Sequence, residues 1–363
     1  METRPLILAS LALVSAVLVG CTHSSGNAVQ SATQANSLFV ANTNLNSISM
    51  FQLSATGQAS MGSSVSSGTC GGPRYIEQHP AKALLFVSCQ ASNSLVAFTV
   101  DSGSGALSMA GAPVSTGADP ITVAVHPNGK FVYVSNIGSN NISAFAVVAD
   151  GTLKEVPGSP FATGQTPYWV EISETGDFIY AANRDSNNVS AYRVDPASGI
   201  LTEVAGSPYA TDQGPRAVTL SGKFAFVPNR FANNVSAFTV DPGSGALTPV
   251  PGSPFAAGTD PRSATTDASG RFLYVPNTLS NDISAYTIDQ NSGVLTPIKG
   301  SPFPGGQVAL QIEADAGHVY VANSGSNNVL VFSIDGSSGS LELVQTIPTP
   351  GNADSFALVK SQL

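Results

Sequence analysis

A repeat of nearly constant length constrains this chain more than any other feature. The segment FVYVSNIGSNNISAF, residues 131 to 145, recurs in near copies, and the residue closing its first apolar run aligns as Asn42, Cys89, Asn136, Asn183, Asn229, Asn277 and Asn323. The spacings are 47, 47, 47, 46, 48 and 46 residues, which points to one structural unit repeated seven times. In the third copy the apolar runs Ile121 to Val125, Phe131 to Ser135, Ile142 to Val147 and Leu153 to Val156 are separated by HPNGK, NIGSNN and ADGT. Short apolar runs between turn residues predict antiparallel strands joined by hairpins. Four strands in each of seven copies predict an all-β, seven-bladed β-propeller. The composition, with 35 Gly, 24 Pro and only 10% charged residues, suits many short strands and turns. The first copy opens at its second strand, Leu38 to Ala41, and the missing first strand is expected at the other end, in Ser355 to Val359. Their pairing would close the ring and leave no exposed edge.

FVYVSN, LYVPN and VYVAN, each followed by an Asn-rich turn and ISAF or ISAY, resemble the lactonase-type seven-bladed propellers, with 6-phosphogluconolactonase and 3-carboxymuconate cyclase among their members, and the related YVTN-repeat propellers. The resemblance covers roughly residues 37 to 360. It implies a lactone hydrolase or cyclase acting on an anionic substrate. Because one fold hosts many functions, and no catalytic constellation is needed for it, the expected function is a membrane-anchored binding or scaffold propeller that presents an arginine-rich face to an anionic ligand or partner, with the lactone hydrolase or cyclase as the alternative. The resemblance also implies a histidine on the catalytic face, and none can be carried over: His79 and His126 follow first strands at the opposite face, His318 lies in a turn and His23 precedes the repeats.

Ahead of the repeats, an uncharged run from Pro5 to Gly20 ends in Leu18-Val19-Gly20-Cys21. The run is too short to span a bilayer and reads as a signal peptide, residues 1 to 20. The tetrad resembles a bacterial lipobox, implying cleavage before Cys21 and lipid on its sulfur. Residues 21 to 36, rich in Ser, Thr, Asn, Gln and Ala, read as the lipidated cysteine and a flexible tether, and 37 to 363 as the propeller. The expected location is the cell envelope, facing the periplasm or exterior; Thr22 after the cysteine resembles outer-membrane sorting in Gram-negative bacteria. A net charge of -9 argues against nucleic acid as a partner. The expected form is a monomer without a cofactor.

In a propeller of this topology the loop entering each first strand and the turn between second and third strands share one face, here the top. First strands open with Arg74, Ile121, Tyr168, Arg216, Arg262, Val308 and Asp354, and two top turns add Arg184 and Arg230. Five of the seven arginines beyond residue 20 therefore fall on the top face, and none of the six lysines does. Guanidinium offers a rigid fork for carboxylate or phosphate, so Arg74, Arg184, Arg216, Arg230 and Arg262, with Tyr168 and Trp169, are candidates for holding an anionic small molecule or an envelope protein. The alternative is that each arginine pairs with a nearby acid such as Asp119, Asp185, Asp212 or Asp260.

Glu171, two residues from the only Trp, is the candidate general base, with Asp185 second; the alternative, which the sequence favours, is a carboxylate solvated in the channel or bonded to a neighbouring strand. Tyr75, Glu77, Trp169, Glu171 and Gln311 share one side-chain parity along the first strands. The recurring asparagines suit turns, and Asp185 stands alone in its loop, so no metal site is expected. Cys89 replaces the strand-closing Asn in one copy and Cys70 lies in the loop entering the adjacent strand, so an exported chain is expected to join them as a disulfide.

Overall fold

The computed structural model describes residues 37–359 apart from 55, 57, 102 and 103. The expected signal peptide, the lipidated Cys21 and the tether lie outside the described residues. Among those described, no helix is long and apolar enough to cross a membrane.

Seven antiparallel sheets form the seven blades of a propeller. In blade 3 the strands are Pro120–Val125, Phe131–Asn136, Asn141–Val147 and Leu153–Glu155, from the innermost outward. In blades 2 to 6 the outer position is shared by two pieces. Phe161–Ala162, for example, also pairs with the third strand, beyond a Pro-Gly turn. Blades 1 and 7 keep one continuous outer strand, Ala59–Ser66 and Leu341–Pro348.

Ala353–Val359 pairs antiparallel with Ser37–Asn42, from Ala353 opposite Asn42 to Val359 opposite Ser37. The last strand of the chain is thus the first strand of blade 1, and the ring closes through hydrogen bonds.

The core lies between successive blades. Between blades 4 and 5, Tyr180, Ala182, Val189 and Ala191 pack on Val218, Ala225, Val227 and Phe238. Tyr180 donates to the Gly245 carbonyl at 2.9 Å, and Tyr133 and Tyr274 do the same to Gly199 and Gly339, so each buried phenol has its partner. Gly245 has φ +77° and leaves room for Phe178, into which a Cβ would project.

The asparagines of the repeat are scaffold. Asn136 Nδ2 donates to Asn141 Oδ1 and Ser143 Oγ at 2.8 and 2.9 Å, and Asn183 and Asn229 repeat the pattern. The last Asn of each top turn sits in the left-handed region, and in blades 1 to 5 its side chain reaches the next blade: Asn93 and Asn140 accept from the backbone N of Asp119 and Thr166, both at 2.8 Å. In blade 2 the capping Asn is replaced by Cys89, disulfide-bonded to Cys70 with Cα atoms 5.0 Å apart; both are fully buried.

Candidate functional site

The first strands line the central channel, and an irregularity at their top ends decides what faces it. In blades 2, 4 and 7 the ladder shifts register between Pro73 and Tyr75, Pro167 and Trp169, and Ala309 and Gln311. Such a bulge sets two residues against one and turns both toward the same side. Strict alternation would send Arg74 and Tyr75 to opposite faces, yet both line one pocket, as do Tyr168 with Trp169 and Leu310 with Gln311. The pocket is small and open to solvent, and Arg216, Arg262 and Asp354 complete its charged lining. The register also corrects one sequence expectation: Leu310, not Val308, opens the first strand of blade 7, because Ala309 pairs with Asn323 as Pro73 does with Cys89.

Four of the five candidate arginines are paired. Arg74 reaches Asp354 at 2.9 Å and Arg184 reaches its neighbour Asp185 at 2.6 Å. Arg230 and Arg262 share the buried Asp260, each at 2.8 Å. Arg184 and Arg230 do not line the pocket, so Arg74, Arg216 and Arg262 converge there with Tyr168 and Trp169 while the other two brace the rim. The Arg184 guanidinium, with help from Thr166, holds Asp185 down to about 2. Asp185, held by Arg184 and Thr166, stands on the rim and does not line the pocket.

Arg216 is different. Its residue is only 6% exposed, it forms no ion pair among the described residues, and its Nη1 has no hydrogen-bond partner. The guanidinium stacks on the Tyr168 ring. Burial, followed by the fields of Arg262, Arg74 and Arg230, disfavours its charged form, and Asp260 opposes them only in part. A buried cation without a carboxylate costs several kcal/mol, and here it is aimed into a pocket.

Below the mouth the channel is lined by Tyr75, Glu77, Val123, Val125, Val170 and Glu171. Trp169 Nε1 donates to Glu171 Oε2 at 2.9 Å. Although part of Glu171 is still accessible from the channel, the surrounding walls desolvate its carboxyl and push it up to about 7, against the lowering effect of Trp169. Burial, then the charges of Glu313 and Glu171, raises Glu77 well above the carboxylate range. Glu313 carries the same parity as Gln311, which donates to it, and went unremarked in the sequence although that parity was the signal for it. Asp354 was noted as a strand opening but not as the partner of Arg74. His79 and His126 lie away from this pocket; His79 Nε2 contacts the Gly129 carbonyl at 3.0 Å. Among the described residues, no group of three or more His, Cys, Asp or Glu is placed to hold a metal ion.

This is a propeller with a cationic mouth and an acidic throat, and its sequence matches the family model described as lactonase, 7-bladed beta-propeller, over residues 8–123, 117–214, 206–310 and 302–361. The chain belongs to the lactonase seven-bladed β-propeller family. No curated protein matches it significantly. Among solved structures it is similar to a protein of Bacteroides uniformis provisionally named a 6-phosphogluconolactonase, at 22% identity, covering 90% of this chain and 99% of that one with a TM-score of 0.80. The periplasmic gluconolactonase of Pseudomonas aeruginosa is similar at 22% identity, covering 89% of this chain and 98% of that one with a TM-score of 0.77. At such identities the likeness to these structures concerns the fold, and the lactonase family's chemistry has to be argued from the residues of this pocket.

Proposed function

We propose that this chain is a cell-envelope lactonase that binds an anionic or lactone-bearing small molecule at the channel mouth and opens the lactone ring. The observation that carries the reading is Arg216: a desolvated guanidinium with a free nitrogen facing a pocket gains most from an oxygen that becomes negative. In the reaction, water adds to the lactone carbonyl carbon and Glu171 takes the proton from that water. Arg216 donates to the carbonyl oxygen as it gains charge. The acyl–oxygen bond then breaks, the ring oxygen leaves as a hydroxyl with the proton Glu171 had taken, and the new carboxylic acid releases its remaining proton to water, so that a carboxylate stays beside Arg216 and Arg262. Burial lifts Glu171 to about 7, close to the pH at which a general base works best.

Envelope location and a lipid anchor through Cys21 are supported by the Leu18-Val19-Gly20-Cys21 tetrad and by the periplasmic naming of the Pseudomonas aeruginosa relative. A cytoplasmic phosphosugar lactone is then a poor substrate, and an unphosphorylated lactone a better one. A second reading, a tethered binding or scaffold propeller, is favoured by one observation. The carboxylate and the free guanidinium line different levels of the channel, and a ligand held at the mouth does not require chemistry.

The two readings separate on turnover of a lactone panel, δ-gluconolactone and δ-valerolactone included, by the purified chain. Hydrolysis that falls at least about 100-fold in Glu171→Gln supports the enzyme. Absence of turnover with retained binding of gluconate supports the binding protein.

A further inference from the structure

The pocket is built from equivalent positions of the repeat. In every blade one residue at the top of the first strand, such as Pro73 in blade 2 and Ala353 in blade 1, pairs with the residue that closes the second strand. Of the two residues that follow it, both line the pocket in blades 1, 2, 3, 4 and 7, and only the first, Arg216 or Arg262, does so in blades 5 and 6. The second of the two is polar in blades 1, 3, 6 and 7, where it is Ser355, Thr122, Ser263 and Gln311.

Two of these four side chains are bonded within the fold. Thr122 Oγ1 accepts from the backbone N of Val170 in the next blade at 2.9 Å. The Gln311 amide donates to the Phe356 carbonyl and accepts from the Phe356 backbone N, both at 3.0 Å. Ser355 is 2% exposed and its Oγ has no hydrogen-bond partner. Ser263 Oγ is likewise unpartnered, but Ser263 does not line the pocket. A buried hydroxyl without a partner carries a desolvation cost that a ligand oxygen can offset. Ser355 and Arg216 are thus two unpartnered groups in the lining of one pocket, and their blades, 1 and 5, stand three steps apart, the widest separation that a ring of seven allows.

We propose that Ser355 is a ligand-binding residue: its hydroxyl receives a hydroxyl group of the ligand, while Arg216 on the far side of the pocket takes the anionic or carbonyl end. This deepens the reading of the mouth given above and rests on it. Charge decides which end goes where. Beside Ser355, Asp354 is paired with Arg74 at 2.9 Å, so this side is compensated, whereas Arg216 has no carboxylate. A second ligand carboxylate would meet Asp354 here, and a hydrocarbon would leave the Ser355 hydroxyl unbonded. A neutral hydroxyl, which both donates and accepts, suits Ser355 and Asp354 together.

The test is calorimetric binding of gluconate and of hexanoate, which share a chain length and a carboxylate and differ in that only gluconate carries hydroxyl groups. The wild type is expected to bind gluconate at least about fivefold more tightly. Ser355→Ala should weaken gluconate by about fivefold, leave hexanoate unchanged and melt no lower than the wild type, because the hydroxyl removed has no partner in the fold. Ser263→Ala, the same change at the equivalent position outside the pocket, should alter neither affinity. Arg216→Met should weaken both acids alike. If Arg216→Met changes neither while Ser355→Ala still weakens gluconate, the anion reading fails and the Ser355 contact stands. Unchanged gluconate affinity in Ser355→Ala, an equal loss for both acids, a markedly lower Tm, or a wild type that binds neither acid overturns the role of Ser355.

Discussion

Trp169 donates its indole N–H to Glu171 across 2.9 Å, from two residues earlier on the same strand and the same side of it. This bond favours the ionised carboxylate, while burial opposes it and prevails. The two effects make the base of the proposed reaction adjustable by a single atom. Trp169→Phe keeps the ring and removes the donor, so Glu171 should titrate higher still. Because the reaction needs the ionised form, activity rises with pH through this pKa, and the rising limb of kcat/KM in the variant should move alkaline by about one pH unit. A pH–rate profile reads this, and an unmoved limb would assign the titration to another group.

The same carboxyl imposes a stability signature. Its folded pKa, about 7, lies above the ordinary 4.5, so the folded state holds the proton more tightly than the unfolded one. That contribution is complete below about pH 4.5 and is lost as pH rises through 7. Glu171→Gln, which cannot ionise, should therefore gain on the wild type between pH 5 and pH 8, by on the order of 2 kcal/mol given the channel's access to water. Parallel urea titrations across that range measure the difference.

Asp260 is the acid on which two arginines depend. Its carboxylate receives Arg230 and Arg262 and is buried, and its backbone is left-handed, a conformation asparagine tolerates. Asp260→Asn thus removes charge with little change of shape and leaves three guanidinium groups, those of Arg216, Arg230 and Arg262, without a carboxylate. Stability should fall by about 3 kcal/mol. Affinity for an anion at the mouth should rise, because the ligand becomes the missing counter-charge. Thermal unfolding with and without gluconate reads both, and a variant stabilised less by gluconate than the wild type would argue against an anion site.

The Cys70–Cys89 bridge closes a loop with a sequence separation of 19 at the junction of blades 1 and 2. Reduction, or the paired change to serine, should cost about 3 kcal/mol. It should be visible as a lower Tm in reductant, and an equal Tm would mean that burial alone holds this corner.

How much of this was legible in the sequence follows from which physics was local. The blade spacing, the Asn turns and the closing strand are repeated or complementary patterns, and Ala353–Val359 lies where the missing strand of blade 1 was expected. Side-chain parity could not foresee that Arg74 and Tyr75 both face the pocket, because a bulge is a one-residue break in the period on which parity rests. Blade 7 also lacks the Pro that marks the strand entrance in blades 2 to 6, so even spacing points to Val308 where the pairing of Ala309 with Asn323 places Leu310. Pairing was equally hidden: Arg230 and Asp260 lie in different blades, and nothing local distinguishes their arginine from Arg216, which has no acid. The sequence could list five arginines; only the assembled ring shows which one lacks a counter-ion.

The central claim is that Arg216 is kept buried and unpaired for a ligand. The most direct measurement is calorimetric binding of gluconate to the wild type and to Arg216→Met, with the thermal stability of both recorded alongside. The account predicts that the variant loses at least about tenfold in affinity while melting no lower than the wild type, since an uncompensated buried charge has been removed. Unchanged affinity in a folded variant, or a large loss of stability on removing the charge, would contradict it.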